Sequence, residues 1–125
     1  MTDVIQLAQK LVRFQSFGEQ IEPVFDYLHA ALSGHGFNVR LLDCTEAGPS
    51  PVLYAAAGEG KGGLLFAGHL DVASPGTEAD WKNGAFAGEI KNGSLCARGI
   101  CEMKGAVAAF VGACEQLLSD RKSVV

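Results

Sequence analysis

The sequence has no apolar run near the roughly 20 residues that a membrane-spanning helix requires, and no block of basic residues. Ten Lys and Arg face 14 Asp and Glu, which gives a formal net charge of −4. This balance argues against nucleic acids and acidic membrane surfaces as partners. The first 14 residues lack the features of a secretion signal, so a cytoplasmic location is expected.

Cysteines are few and none of them forms a C-x-x-C pair. With no secretion signal, Cys44, Cys96, Cys101 and Cys114 are expected to be reduced thiols that pack as small buried hydrophobes. What the sequence does contain is 48% hydrophobic and 19% charged residues over 125 positions. That composition predicts one folded domain with one core.

Apolar spacing predicts three helices. They cover residues 3–14, a segment from about Ile21 to the glycines at 34 and 36, and residues 103–118. Thr2 or Asp3 suits the start of the first helix, and Pro23 is tolerated in the first turn of the second.

Strands are predicted at residues 37–42, 52–57 and 64–68, on both sides of Asn92-Gly93, and from residue 123 onward. The segment "LLFAG" shows no alternation, so we expect a central strand covered on both faces. Together these elements predict an α/β fold with a mixed sheet flanked by helices.

Two polar side chains follow the predicted central strand, where ligands of open α/β sheets bind. His69 could bind a metal, and Asp71, two residues on, could orient its imidazole directly or through the loop. The H-x-D spacing is weak by itself, because a lone His is more often a hydrogen-bonded structural residue.

A second cluster, "ARGICEMKGA", places Glu102 at the start of the last helix. A carboxylate there suits the helix dipole and could also bind zinc or a hard cation, whereas simple capping is the alternative. Arg98 either orients the turn or forms a structural ion pair. For Lys104 and Trp81, solvent exposure and core packing are explanations as good as a role in a site.

Together, "FAGHLDVASPG", the "W...NGAF" segment and "ARGICEMKGAVAAFV" resemble the co-catalytic zinc exopeptidases and deacylases, which include the succinyl-diaminopimelate desuccinylase and acetylornithine deacetylase type. The resemblance implies that His69 binds zinc, that Asp71 is the supporting catalytic acid, and that Glu102 stands where the family has a bridging Asp. It implies two zinc ions in a complete enzyme, with cobalt as an alternative, and at most a partial site here. The longer Glu102 side chain and the neighbouring Cys101, expected to pack, depart from the family pattern.

The resemblance also implies hydrolysis of an N-acyl or peptide amide in amino-acid biosynthesis. Residues 1–125 would be a truncated, N-terminal portion of the catalytic domain, because the family's acidic pair, distal His and lid or dimerisation domain are absent. The isolated chain is then expected to be inactive, and a small N-acyl amino acid or peptide would bind only after completion by the missing part. The alternative is a non-catalytic remnant that binds a protein partner or one metal. A homodimer through an exposed sheet edge fits either case.

Overall fold

The helices predicted from apolar spacing are confirmed in the computed structural model, which describes residues 2–44, 46, 51–59 and 61–122. They are α1 (Val4–Arg13), α2 (Glu22–Gly34) and α3 (Gly105–Lys122). The Asp3 side chain caps α1 by accepting hydrogen bonds from the backbone N–H groups of Ile5 and Gln6 at 2.9 and 3.3 Å.

The second helix begins and ends as its sequence predicts. Pro23 lies in its first turn, where its missing N–H costs no helical hydrogen bond. Beyond its end, Gly36 adopts a φ of 88°, a left-handed conformation that a glycine reaches without strain. The apolar stripes of the three helices meet in one core, which includes Leu11, Val24, Leu28 and Ala108.

Two antiparallel hairpins form the sheet structure of the described residues. Strand β1 (Asn38–Leu42) pairs with β2 (Val52–Ala56), with Val39 opposite Ala55. Strand β3 (Glu89–Lys91) pairs with β4 (Ser94–Cys96). Asn92 and Gly93 join β3 to β4 with φ values of 51° and 77°, as the sequence predicts for a two-residue turn with two positive φ angles.

The prediction of a covered central strand at residues 64–68 is wrong for the described structure. The segment carries no ladder, and Leu64 and Leu65 are 86% and 82% exposed. The α/β class holds, but both sheets in the described ranges are antiparallel, so the mixed sheet is not present there. An apolar run favours a strand, but a strand also needs a neighbouring segment to pair with, and no described segment forms a ladder with residues 64–68.

The cysteines also differ from expectation. All four are free thiols as predicted, but Cys96 and Cys101 are exposed, and Cys44 and Cys114 are half-buried. Burial raises the pKa of the Cys114 thiol above its ordinary value. The strand predicted from residue 123 lies outside the described residues. Among the described helices, none combines the length and apolar character needed to cross a bilayer.

Helices α1 and α3 approach closely because Gly112 has no side chain. A Cβ atom added there would overlap Cγ2 of Val4. Val4 packs against the core and is β-branched, so it has little freedom to move aside. The contact between α1 and α3 therefore requires a small residue at position 112.

We expect Gly112→Ala to lower the free energy of unfolding by about 1 kcal/mol or more, because overpacking outweighs the gain in helix propensity. Adding Val4→Ala should recover part of that loss, with a coupling energy of about 1 kcal/mol in a double-mutant cycle measured by urea unfolding. Gly34→Ala is the matched control, since a Cβ atom at this helical glycine meets nothing within 4 Å. Additive effects of the two substitutions would contradict the proposed overlap.

Candidate metal site

The turn before α3 is held by a buried lysine. Lys104 is 0% exposed, and its Nζ donates a 2.8 Å hydrogen bond to the carbonyl of Phe14 at the end of α1. A wide π-helical turn spans Ile100–Lys104, closed by a 3.2 Å hydrogen bond from the Lys104 N–H to the Gly99 carbonyl. The expectation that Lys104 is solvent-exposed is therefore wrong.

Gly99 makes this arrangement possible. Its φ is 90°, and a Cβ atom there would overlap Cγ1 of Val72 and approach Cδ of Lys104 to 3.2 Å. The absence of a side chain thus brings the turn against the segment that follows His69. Backbone conformation and close packing both require glycine at this position.

His69 and Asp71 lie together after the unpaired segment. Nδ1 of His69 is 2.9 Å from the Asp71 carbonyl oxygen and 3.3 Å from Oδ1 of its carboxylate. Both side chains are well exposed, at 51% and 72%. With Nδ1 directed at these oxygens, the other ring nitrogen, Nε2, is the one left for an external ligand.

Arg98 and Glu102 form the second pair. Nη1 of Arg98 is 3.7 Å from Oε1 of Glu102, so the expected ion pair is present. The Arg98 guanidinium also lies over the Trp81 ring, 5.3 Å from its centroid. Trp81 itself is half-buried rather than a core residue, and its indole N–H donates to the carbonyl of Pro75 at 2.8 Å. Cys101 is exposed, not packed.

The two pairs lie on adjoining segments. A Cβ atom on Gly68 would come within 2.7 Å of Cε of Met103, just as Gly99 abuts Val72. The stretch that carries His69 therefore runs along the stretch that carries Glu102. Within the described ranges, however, no three His, Cys, Asp or Glu side chains come together as a group that could hold a metal ion.

Burial lowers the pKa of Lys104 from its ordinary 10.5 to about 8, against the opposing effect of the Glu102 charge, which raises it. The amine is withdrawn from water, so its charged form loses hydration, and the hydrogen bond to Phe14 replaces only part of that loss. This is the site's one large pKa shift among the described residues.

Sequence reasoning missed Ser16, which anchors the His69–Asp71 segment from behind. The Ser16 hydroxyl, fully buried, donates a 2.6 Å hydrogen bond to the Leu70 carbonyl, and the Val72 N–H donates to the Ser16 carbonyl at 2.9 Å. A serine in a loop after a helix carries no signal that distinguishes it from a solvent-exposed one, so only the tertiary structure identifies this role.

Comparison with known proteins adds a family match. The model of peptidase family M20/M25/M40 matches residues 65–124, the part of the chain that holds His69 and Glu102. In a search of solved structures, the chain is similar to an M20 family metallo-carboxypeptidase, Sso-CP2 from Sulfolobus solfataricus. The TM-score is 0.86 and the identity 26%, over 97% of this chain and 28% of that one.

Curated relatives named succinyl-diaminopimelate desuccinylase are also similar. The protein of Rhodopseudomonas palustris BisA53 is 40% identical over 113 residues, which are 89% of this chain and 29% of that protein. That of Caulobacter sp. K31 is 41% identical over 118 residues, covering 94% of this chain and 30% of the relative. The chain thus spans about three tenths of the length of these relatives.

Because the lowered pKa belongs to the folded state, Lys104 makes stability depend on pH. Between pH 8 and 10.5 the unfolded chain binds more protons at this group than the folded chain does, so its contribution to stability rises with pH. We expect the unfolding free energy of the wild type, minus that of Lys104→Met, to increase by about 1 to 2 kcal/mol from pH 7 to 9.5. The measurement is urea unfolding at both pH values.

The matched control for this experiment is Lys82→Met, which removes an exposed lysine. Its difference from the wild type should stay constant over the same pH interval. A flat difference for Lys104→Met as well would show that the buried amine keeps an ordinary pKa.

Proposed function

The chain belongs to peptidase family M20/M25/M40, and from this premise we propose that it provides the N-terminal part of the catalytic domain of a zinc-dependent amidohydrolase. The substrate class is an N-acyl amino acid or a peptide, with succinyl-diaminopimelate desuccinylase as the most similar type. The observation that best supports this proposal is the 40% identity to such a desuccinylase, over a region that includes His69, Asp71 and Glu102.

The donor set fits zinc in part. Imidazole nitrogen and carboxylate oxygen are both common zinc ligands, and Nδ1 of His69 is already directed at Asp71, which leaves Nε2 to bind the ion. In this proposal His69 and Glu102 would hold the metal, with cobalt as an alternative ion. Asp71 would orient the imidazole. Bound zinc would polarise the scissile carbonyl and lower the pKa of a water.

The remaining ligands would come from the part of the enzyme that this chain does not span. Since no three donors converge within the described residues, we propose that the isolated chain has no turnover. The complete enzyme would act in the cytoplasm on a small acylated or peptide substrate, without nucleic acid or membrane as a partner. Self-association through an exposed sheet edge would form a homodimer of the isolated chain.

One observation favours a second function, a non-catalytic domain that binds a protein partner or a single metal. Glu102 is one methylene longer than the aspartate expected from the family, and it already forms an ion pair with Arg98 at 3.7 Å. A side chain with this length and this partner is a poor bridge between two ions, whereas it can still bind one.

Complementation distinguishes these functions. We expect amide hydrolysis when the chain is mixed, in the presence of Zn²⁺, with a separately produced polypeptide that comprises the rest of the Rhodopseudomonas palustris desuccinylase, assayed on succinyl-diaminopimelate. Neither part alone should be active, because each lacks ligands. His69→Ala in the mixture should abolish the gain, whereas His29→Ala, on α2, should leave it. No activity in a mixture whose parts associate would favour the non-catalytic function.

Zinc titration of the isolated chain by calorimetry tests the ligands without catalysis. We expect His69→Ala to weaken Zn²⁺ binding at least about tenfold, equivalent to about 1.4 kcal/mol. His29→Ala should leave it unchanged. Glu102→Asp should strengthen binding if the length of the carboxylate arm limits its reach. Equal affinity for the wild type and His69→Ala would remove His69 from the site.

A further inference from the structure

Ser16 holds the peptide groups on both sides of Asp71. Its hydroxyl donates a 2.6 Å hydrogen bond to the Leu70 carbonyl, which belongs to the peptide group before Asp71. Its own carbonyl accepts a 2.9 Å hydrogen bond from the Val72 N–H, which belongs to the peptide group after Asp71. Because peptide groups are planar, holding both of them leaves the φ and ψ angles of Asp71 little freedom. We call this pair of hydrogen bonds the Ser16 clamp.

The second of these peptide groups also contacts His69. The Asp71 carbonyl and the Val72 N–H belong to one trans peptide group, so they point in opposite directions. The N–H points to Ser16, and the carbonyl oxygen lies 2.9 Å from Nδ1 of His69. The carboxylate oxygen Oδ1 of Asp71 is farther from Nδ1, at 3.3 Å. The backbone carbonyl of Asp71 is therefore the nearer group that can orient the imidazole.

The contact with Asp71 determines which ring nitrogen of a neutral His69 carries the proton. Both atoms near Nδ1 are acceptors, a carbonyl oxygen and a carboxylate oxygen, so Nδ1 has to be the donor. A neutral imidazole has one N–H, so Nε2 then keeps its lone pair. The clamp thus favours the tautomer whose Nε2 can accept an external ligand.

Ser16 lies between two residues that are themselves anchored. On one side, the Phe14 carbonyl accepts the 2.8 Å hydrogen bond from Nζ of the buried Lys104. On the other side, the Phe17 ring stacks on the ring of Phe86, with centroids 5.7 Å apart and planes inclined by 9°. The backbone that carries the clamp therefore has contacts to two other segments of the fold.

Burial makes the clamp more persistent than the contact that it directs. Ser16 is fully buried, and Leu70 and Val72 are each 7% exposed, so water does not compete for their hydrogen bonds. The side chains of His69 and Asp71 are 51% and 72% exposed, and an exposed pair of this kind has little stability of its own. A single tautomer at this exposed imidazole consequently requires support from the buried groups behind it.

We propose that Ser16 is a positioning residue that keeps neutral His69 in the Nδ1–H tautomer, by holding the peptide group whose carbonyl accepts the hydrogen bond from Nδ1. The use of the free Nε2 to bind a zinc ion rests on the proposed function. The clamp and its effect on the ring do not, because both involve described residues of this chain alone.

Proton–nitrogen correlation NMR of the ring measures the tautomer in the metal-free chain at about pH 8, where an ordinary imidazole is neutral. We expect the wild type to hold His69 mainly as Nδ1–H. Ser16→Ala leaves the Leu70 carbonyl buried without its donor, so the ratio of Nδ1–H to Nε2–H should fall about threefold or more. Asp71→Ala keeps the backbone carbonyl, so the ratio should fall less than about twofold.

Gly112→Ala is the matched control, since it disturbs the α1–α3 contact at Val4 and leaves the clamp intact. Its tautomer ratio should equal that of the wild type. Where Ser16→Ala does not fold, Ser16→Cys fills the same space with a weak donor and should give the same fall. In a zinc titration of the isolated chain, the affinity should fall about threefold or more for the Ser16 variant and stay unchanged for Gly112→Ala.

Several outcomes would overturn the proposal. A wild type whose neutral His69 carries its proton mainly on Nε2 would do so without any variant. An unchanged ratio in the Ser16 variant, or an equal fall in Gly112→Ala, would show that Ser16 supports only the fold. A larger fall in Asp71→Ala than in the Ser16 variant would assign the orientation of the ring to the carboxylate. Because the tautomer is measured without metal or substrate, the expected ratios with no zinc binding by the wild type would reject the proposed metal site alone.

Discussion

The arrangement of the segments around the candidate metal site depends on the burial of the Lys104 amine. Its hydrogen bond to the Phe14 carbonyl connects the turn before α3 to the end of α1. Two residues further along the chain, Ser16 bonds to both Leu70 and Val72. Three distant stretches, near residues 14–16, 70–72 and 99–104, are thereby held against one another. A buried amine without an acceptor would be costly, so the backbone of Phe14 has to remain where it is.

This arrangement leaves the segment around His69 fixed on one side only. Behind it, Ser16, Gly99 and Lys104 leave little room for movement, since a Cβ atom at Gly99 would already overlap Val72. In front of it, residues 62–68 have no strand partner in the described structure, and Leu64 and Leu65 face solvent. The backbone that leads into the candidate metal site is therefore held from behind, whereas no described segment pairs with it in front.

Features that depend on interactions between near neighbours in the chain could be predicted from the sequence, whereas features that depend on distant contacts could not. Asp3, Pro23 and the Asn92-Gly93 turn act on neighbours a few residues away, so their effects were visible in the sequence. The strand predicted at residues 64–68 is not formed in the described structure, because a strand requires a pairing partner that a local pattern does not reveal. The burial of Lys104 and the role of Ser16 also depend on contacts across 90 and 54 residues of sequence, which no local pattern records.

The same distinction between local and distant interactions applies to the candidate metal site. The motifs predicted which side chains are present, and the structure adds that Asp71 reaches His69 directly and that Glu102 pairs with Arg98. That ion pair is partly exposed and 3.7 Å long, and pairs of this kind contribute about 0 to 1 kcal/mol. Exchanging the guanidinium for a divalent cation would therefore cost Glu102 little. At the proposed site, the number of donors that converge, rather than the strength of the Arg98 contact, would limit the binding of a metal ion.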